Sequence, residues 1–224
     1  MTHIEIGRIA GIPIYLDMMF VLILLLFTYP YFTSGDTQLM AAGIVIVAGL
    51  LLSVLLHELG HAFAGRMFGL GMSYIELTAL GGIAHFERSL PASAFIRSVV
   101  LLAGPAVNLL LAYGLGIAAD SAGGGGRSML YLALSALASA NFWLGCFNLL
   151  PAYPLDGGRT LDAWLGKVFS GEWPAKIVAT LGLLVVAYLA LTSLPDNFWR
   201  MFLAFFLFQA NWTALQGAGG WTRR

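Results

Sequence analysis

Residues His57-Glu58-Leu59-Gly60-His61 form an H-E-x-x-H motif. On an α-helix, residues four apart share a face, so His57 and His61 turn two imidazoles toward one point. Two neutral imidazoles at that spacing suit a single zinc ion. Glu58 projects about 100° away, beside the metal position, where a carboxylate can take a proton from a water activated by the ion. That trio equips a chain for metal-assisted hydrolysis. It stands in an otherwise apolar run, where an ionisable side chain costs about 2.5–3.5 kcal/mol or more and marks function by default. The alternative, three polar residues paired only to one another, is costly in the same setting.

Two histidines leave a catalytic zinc short of one protein ligand, with a further position for water. His3, in the N-terminal segment, and His85, after an extended stretch, read as interfacial residues. Asp156 is the stronger candidate. It lies in the stretch from Asn148 to Arg159, where Pro151, Pro154 and the Gly157-Gly158 pair interrupt a long apolar segment. Irregular backbone at membrane depth is tolerated only where it is buried in protein or lines a cavity. Such a stretch aims a side chain rather than spanning. The competing reading makes Asp156 the N-cap of a short helix from Gly157 to Val168.

The elements that position these groups follow from composition. Of 224 residues, 59% are hydrophobic and 10% charged, against about a quarter charged in a soluble domain. Eleven basic and eleven acidic residues cancel, which excludes a disordered chain, a coiled coil and a nucleic-acid binder. The single cysteine, Cys146, allows no internal disulfide and reads as a small apolar filler. The remaining class is a polytopic membrane protein.

Charge-free stretches predict six transmembrane helices, over about residues 17–34, 39–65, 95–119, 128–150, 175–194 and 199–217. The first is a true span rather than a cleaved signal peptide: its basic flank is Arg8 alone and no A-x-A-like site follows. Arg8, Arg66, Arg88, Arg97, Arg159, Lys167, Lys176, Arg223 and Arg224 then share one side, with only Arg127 and Arg200 opposite. That bias puts both termini in the cytoplasm. The spans use nearly all of the sequence, so residues 1–224 read as one all-α membrane domain with no internal repeat and a flexible loop at Gly123–Gly126. A small β element is expected after the second span, over about 73–87, where partial alternation and a central glycine pair suggest a hairpin or re-entrant strand pair. Its exposed edge could hold an unwound peptide by strand addition. Asn108 reads as a packing residue between helices, Asp17 as interfacial, and Trp143, Trp164, Trp173, Trp199, Trp212 and Trp221 as belt residues.

The H-E-L-G-H helix, the segment Gly104-Pro105-Ala106-Val107-Asn108 and the segment running through Asn148, Pro151, Pro154, Asp156 and Gly157 together resemble the site-2 protease family of intramembrane zinc metalloproteases. Residues 79–84, Ala-Leu-Gly-Gly-Ile-Ala, resemble that family's membrane-embedded sheet. The likeness covers about residues 7–170 and is far more specific than H-E-x-x-H alone. It implies one zinc ion per chain held by His57, His61 and Asp156, Glu58 as general base, and Asn148 as a polar partner for substrate or the tetrahedral intermediate. It implies cleavage of other proteins' transmembrane segments in a bacterial or archaeal cell membrane (regulated intramembrane proteolysis), with anti-sigma factors or signal-peptide remnants as substrates. Many relatives carry a PDZ or nucleotide-sensing domain, for which this chain has no room. The rival reading is a zinc-binding membrane transporter or chaperone that reuses the motif without hydrolysis. A transporter should place polar faces on several spans, whereas these ligands converge on one site.

Overall fold

A computed structural model describes residues 3–78, 81–122, 128–192 and 198–217. Eleven elements follow in order: β1 (His3–Ile9), β2 (Ile12–Asp17), α1 (Met18–Phe32), α2 (Thr37–Met67), β3 (Met72–Thr78), β4 (Gly81–Phe86), α3 (Ala94–Ser121), α4 (Met129–Asn148), α5 (Asp156–Leu165), α6 (Trp173–Leu191) and α7 (Phe198–Leu215). The Gly123–Gly126 loop, Arg127, the pair Ala79-Leu80, Trp221, Arg223 and Arg224 lie outside the described residues.

The starts of α1 and α2 are fixed by side chains rather than by hydrophobicity, which is nearly uniform along both. Asp17 caps α1 by accepting from the Met19 amide at 3.0 Å, and Asp36 caps α2 from the Gln38 amide at 2.7 Å. Asp17 is thus a helix cap, more specific than the interfacial residue expected. Four described helices, α2, α3, α4 and α6, are long and apolar enough to cross a membrane. The expected first span is a 15-residue helix, about 22 Å at 1.5 Å per residue and short of a hydrocarbon core of ~30 Å. The last, α7, carries Arg200, Gln209 and Asn211 within its 18 residues. Among the described residues, four of the six expected spans thus meet both length and composition.

The β element is larger than the sequence suggested. The expected hairpin is present as antiparallel β3–β4, but β2 lies parallel to β3 and β1 closes a four-stranded sheet in the order β1-β2-β3-β4. In the N-terminal hairpin β2 places Ile12, Ile14 and Leu16 at alternate positions, the period-2 signal of a half-buried strand. The turn at Ala10-Gly11 has φ of 49° and 82°, the left-handed backbone a tight hairpin uses. Ile14, Ile75 and Leu77 form one apolar face packed with Phe20, Leu24, Val54 and Leu55 of α1 and α2.

Backbone proximity divides the chain into two compact units, Met1–Arg88 with Ala103–Cys146, and Ser89–Leu102 with Phe147–Arg224. The first holds the sheet and the motif helix α2. In the second, the stretch after α4 is itself core. Ala152 and Leu155 cluster with Val186, Ala204 and Leu207, and Tyr153 with Val178, Ala179 and Ala214.

Candidate metal centre

In the first unit, helical pitch brings the two imidazoles together as the spacing predicts. His57, Glu58 and His61 are 5%, 3% and 6% exposed. The Nε2 atoms of His57 and His61 stand 3.1 Å apart with rings at 82°. Two bonds of ~2.0–2.1 Å leaving a tetrahedral ion would end about 3.3 Å apart, so the pair fits a zinc-sized cation. Glu58 Oε1 lies 4.0 Å from His57 Nε2, which sets the carboxylate beside the position an ion would take.

A directed chain of hydrogen bonds fixes which nitrogen of His57 faces inward. His57 Nδ1 donates to Asn108 Oδ1 at 2.5 Å. Asn108 Nδ2 donates to Asn141 Oδ1 (2.9 Å) and to the Ser53 carbonyl (3.4 Å). Asn141 Nδ2 donates in turn to Ser53 Oγ and the Leu137 carbonyl, each at 2.9 Å, and Ser53 Oγ to the Gly49 carbonyl at 2.7 Å. Because every Asn108 amide hydrogen is directed elsewhere, its oxygen accepts, and the proton stays on His57 Nδ1. Nε2 is left with a lone pair, the tautomer a metal requires. Asn108 and Asn141 are fully buried.

Packing around the imidazoles depends on absent side chains. A Cβ at Gly104 would stand 2.7 Å from His57 Nε2 and closer still to His61, and one at Gly60 would meet the Ala103 carbonyl at 2.9 Å. Glycine at 60 lets α3 approach α2, and glycine at 104 leaves room in front of the two Nε2 atoms. Gly82 of β4 plays the same part for Glu58, whose carboxylate occupies the space a side chain at 82 would fill. The edge strand β4 therefore runs directly past Glu58.

Asp156 and Asn148 belong to the second unit. Asp156 is buried, and it is the first residue of α5 rather than its cap: Leu155, with φ −64° and ψ 155°, holds the cap position. That sets aside the N-cap reading. The glycines after it are dictated by packing. A Cβ at Gly157 would strike the Leu149 and Leu150 carbonyls, and one at Gly158 the Ala152 backbone. Asn148 is half-buried at the last residue of α4. Further along α5, burial raises the Asp162 carboxyl above its ordinary value, offset by Tyr153 and Arg97. The Tyr153 hydroxyl is also raised, by burial first and then by the Asp162 charge.

The other two histidines are elsewhere, as expected. His3 Nδ1 and His85 Nε2 lie 2.9 Å and 3.3 Å from the two oxygens of Glu76, and His85 stacks on Tyr74 at 4.1 Å. Trp143, Trp164, Trp173 and Trp212 are exposed. Sequence reasoning missed Asn141 and Ser53, and understated Asn108. An asparagine in an apolar helix was the available signal, since such a group must find a buried partner.

Comparison with known proteins gives a consistent picture. The model of Peptidase family M50 matches residues 45–124 and 123–192. A zinc metalloprotease of Methanocaldococcus jannaschii is 33% identical over 181 residues, 80% of this chain and 50% of that protein. Rip3 of Mycobacterium tuberculosis, which bears a zinc metalloprotease name, is 32% identical over 232 residues, 92% of this chain and 57% of that protein. The chain thus spans about half the length of these relatives. The solved structure of a site-2 protease from Methanocaldococcus jannaschii superimposes with a TM-score of 0.65 at 28% identity, covering 100% of this chain and 96% of that one.

Proposed function

The chain belongs to peptidase family M50, and from that premise we propose that it is a zinc-dependent intramembrane endopeptidase that hydrolyses peptide bonds in or near other proteins' transmembrane segments. The observation that carries this reading is the pair of buried Nε2 atoms 3.1 Å apart, with Glu58 beside them, on a helix apolar and long enough to cross a membrane.

His57, His61 and Asp156 are the ligands: two imidazoles and a carboxylate, all buried. A bound zinc ion supplies a Lewis acid that acidifies water to near neutrality and polarises the scissile carbonyl. Glu58 accepts the proton of the attacking water and returns it to the leaving amine nitrogen. Asn108 keeps the proton on His57 Nδ1 throughout. Asn148 offers its carboxamide to the substrate or to the developing oxyanion.

A substrate helix has its amides tied in internal hydrogen bonds and must be opened first. The outer edge of β4, an edge strand of the sheet, suits that task, since strand addition supplies main-chain partners with little demand on side-chain identity. Gly82, on that strand, borders Glu58, so a peptide added there runs beside the base. Six helices, with α1 and α7 completing the four long ones, form one membrane domain with both termini in the cytoplasm, on the bias of the basic residues. Single-pass proteins already trimmed outside the membrane, such as anti-sigma factors or signal-peptide remnants, are the substrate class. Purified protein incubated with a model transmembrane substrate should cleave it, and a zinc chelator should stop cleavage. Cleavage unaffected by the chelator would refute the proposal.

A further inference from the structure

The loop that leads into Asp156 is gripped by one side chain from a distant helix. Asn211 of α7 is fully buried. Its Oδ1 accepts from the Tyr153 amide at 3.0 Å and its Nδ2 donates to the Tyr153 carbonyl at 2.8 Å. The second Nδ2 hydrogen goes to the Leu207 carbonyl at 2.7 Å, one turn back on α7. Both amide hydrogens are thereby used. A carboxamide that meets the N–H and the C=O of one residue copies a strand partner, in a buried stretch outside any sheet. Without it, both Tyr153 main-chain groups would need other partners in the interior of the unit.

Neighbouring elements are arranged around this contact. A Cβ at Gly182 of α6 would stand 2.8 Å from Asn211 Nδ2 and nearer still to its Oδ1. Glycine at 182 is what leaves the carboxamide its space. The Tyr153 side chain is packed among Val178, Ala179 and Ala214. From Tyr153 the chain reaches Asp156 in three residues, through a turn closed by the Leu155 amide on the Ala152 carbonyl at 2.9 Å. Position is passed along that turn with little slack.

We propose that Asn211 is a positioning residue of the metal centre: by clamping the Tyr153 backbone it fixes the turn that ends in Asp156 and sets where that carboxylate stands. The inference rests on the reading of Asp156 as a zinc ligand.

The test measures zinc affinity of the full-length protein in detergent, by competition with a chromophoric chelator. Asn211→Leu and Gly182→Ala are each compared in the wild-type and Asp156→Asn backgrounds. In the wild type, Asn211→Leu should weaken zinc binding about tenfold, as loss of an outer partner of a ligand does. Gly182→Ala, acting from another helix, should weaken it in the same direction. In the Asp156→Asn background neither should weaken it further, because the ligand through which they act is gone. Equal losses in both backgrounds would mean a merely structural role and overturn the proposal, as would no loss in either. Should Asn211→Leu fail to fold, Gly182→Ala carries the same comparison. If Asp156→Asn alone leaves zinc affinity unchanged, the ligand reading fails and the clamp falls with it. If Asp156→Asn weakens binding while the other two do not, the clamp alone falls.

Discussion

On α2, His57 and His61 converge through helical pitch, and what stands behind them is a file of side chains: Asn108, Asn141 and Ser53. Around Asp156 the supports are of another kind. The loop from Leu149 to Leu155 folds against itself through its backbone, Gly157 and Gly158 lie on its carbonyls, and Asn211 holds it by the main chain of Tyr153. Glycines make room in both regions, Gly60, Gly82 and Gly104 in the first and Gly157, Gly158 and Gly182 in the second. The difference is that the side-chain support of the first reaches the ligand ring itself, whereas that of the second reaches only backbone. In the first, changing a functional atom without changing volume should already disturb a ligand; in the second, adding volume without changing chemistry should suffice.

The largest effect expected is at Glu58. Glu58→Gln keeps size and the proposed zinc ligands but removes the proposed base, so turnover of a transmembrane substrate should fall about 10²–10⁴-fold while bound zinc is retained. Wild-type turnover would break the assignment of that side chain. Next is Asn108→Leu, nearly isosteric, which deprives His57 Nδ1 of its acceptor. Zinc affinity should drop about 10–100-fold, and Asn108→Asp, which still accepts, should recover part of it. Affinity unchanged in the leucine variant would mean that Asn108 only packs helices.

A single added methyl group should suffice on the other side. Gly157→Ala drives a Cβ into the Leu149 and Leu150 carbonyls, and overpacking of this kind costs about 1–3 kcal/mol. Gly114→Ala is the control, because nothing stands within 4 Å of a Cβ there; inside a helix it should be neutral or stabilising by about 0.5–1 kcal/mol. Similar melting shifts for the two would contradict the packing argument. The smallest effect concerns pH. The folded Asp162 carboxyl titrates above its ordinary value, so its contribution to stability is full below the unfolded carboxylate range and is lost as pH rises through the raised value. Melting temperature of the wild type should therefore decline across that window relative to Asp162→Asn, and parallel curves would show that Asp162 is not held by burial.

The same contrast explains what could be read in advance. The imidazole pair was legible because a helix converts a spacing of four into a shared face, and the β3–β4 hairpin because alternation and a glycine pair are local signals. Asp156 stood out through the prolines and glycines that break the apolar run. The β1–β2 hairpin was overlooked although its strands, 7 and 6 residues, are as long as those of β3–β4: it runs directly into an apolar helix that dominates the pattern. Asn211 was hidden for a different reason. Its partner lies 58 residues away along the chain, and a contact with main chain leaves no complementary residue type to notice. Six spans were inferred from freedom from charge alone. Four of them also satisfy length and composition among the described residues, while α1 is shorter and α7 carries polar residues.

The central claim is that one zinc ion, held by His57, His61 and Asp156, makes this chain hydrolytic. It is tested most directly by stripping the purified protein with a chelator and titrating zinc back while following cleavage of a transmembrane substrate. Activity should be absent from the stripped protein and rise linearly to a plateau at one zinc per chain, and Asp156→Asn should need a large excess of zinc to reach any plateau. Full activity in protein that analysis shows to be free of metal would contradict the account.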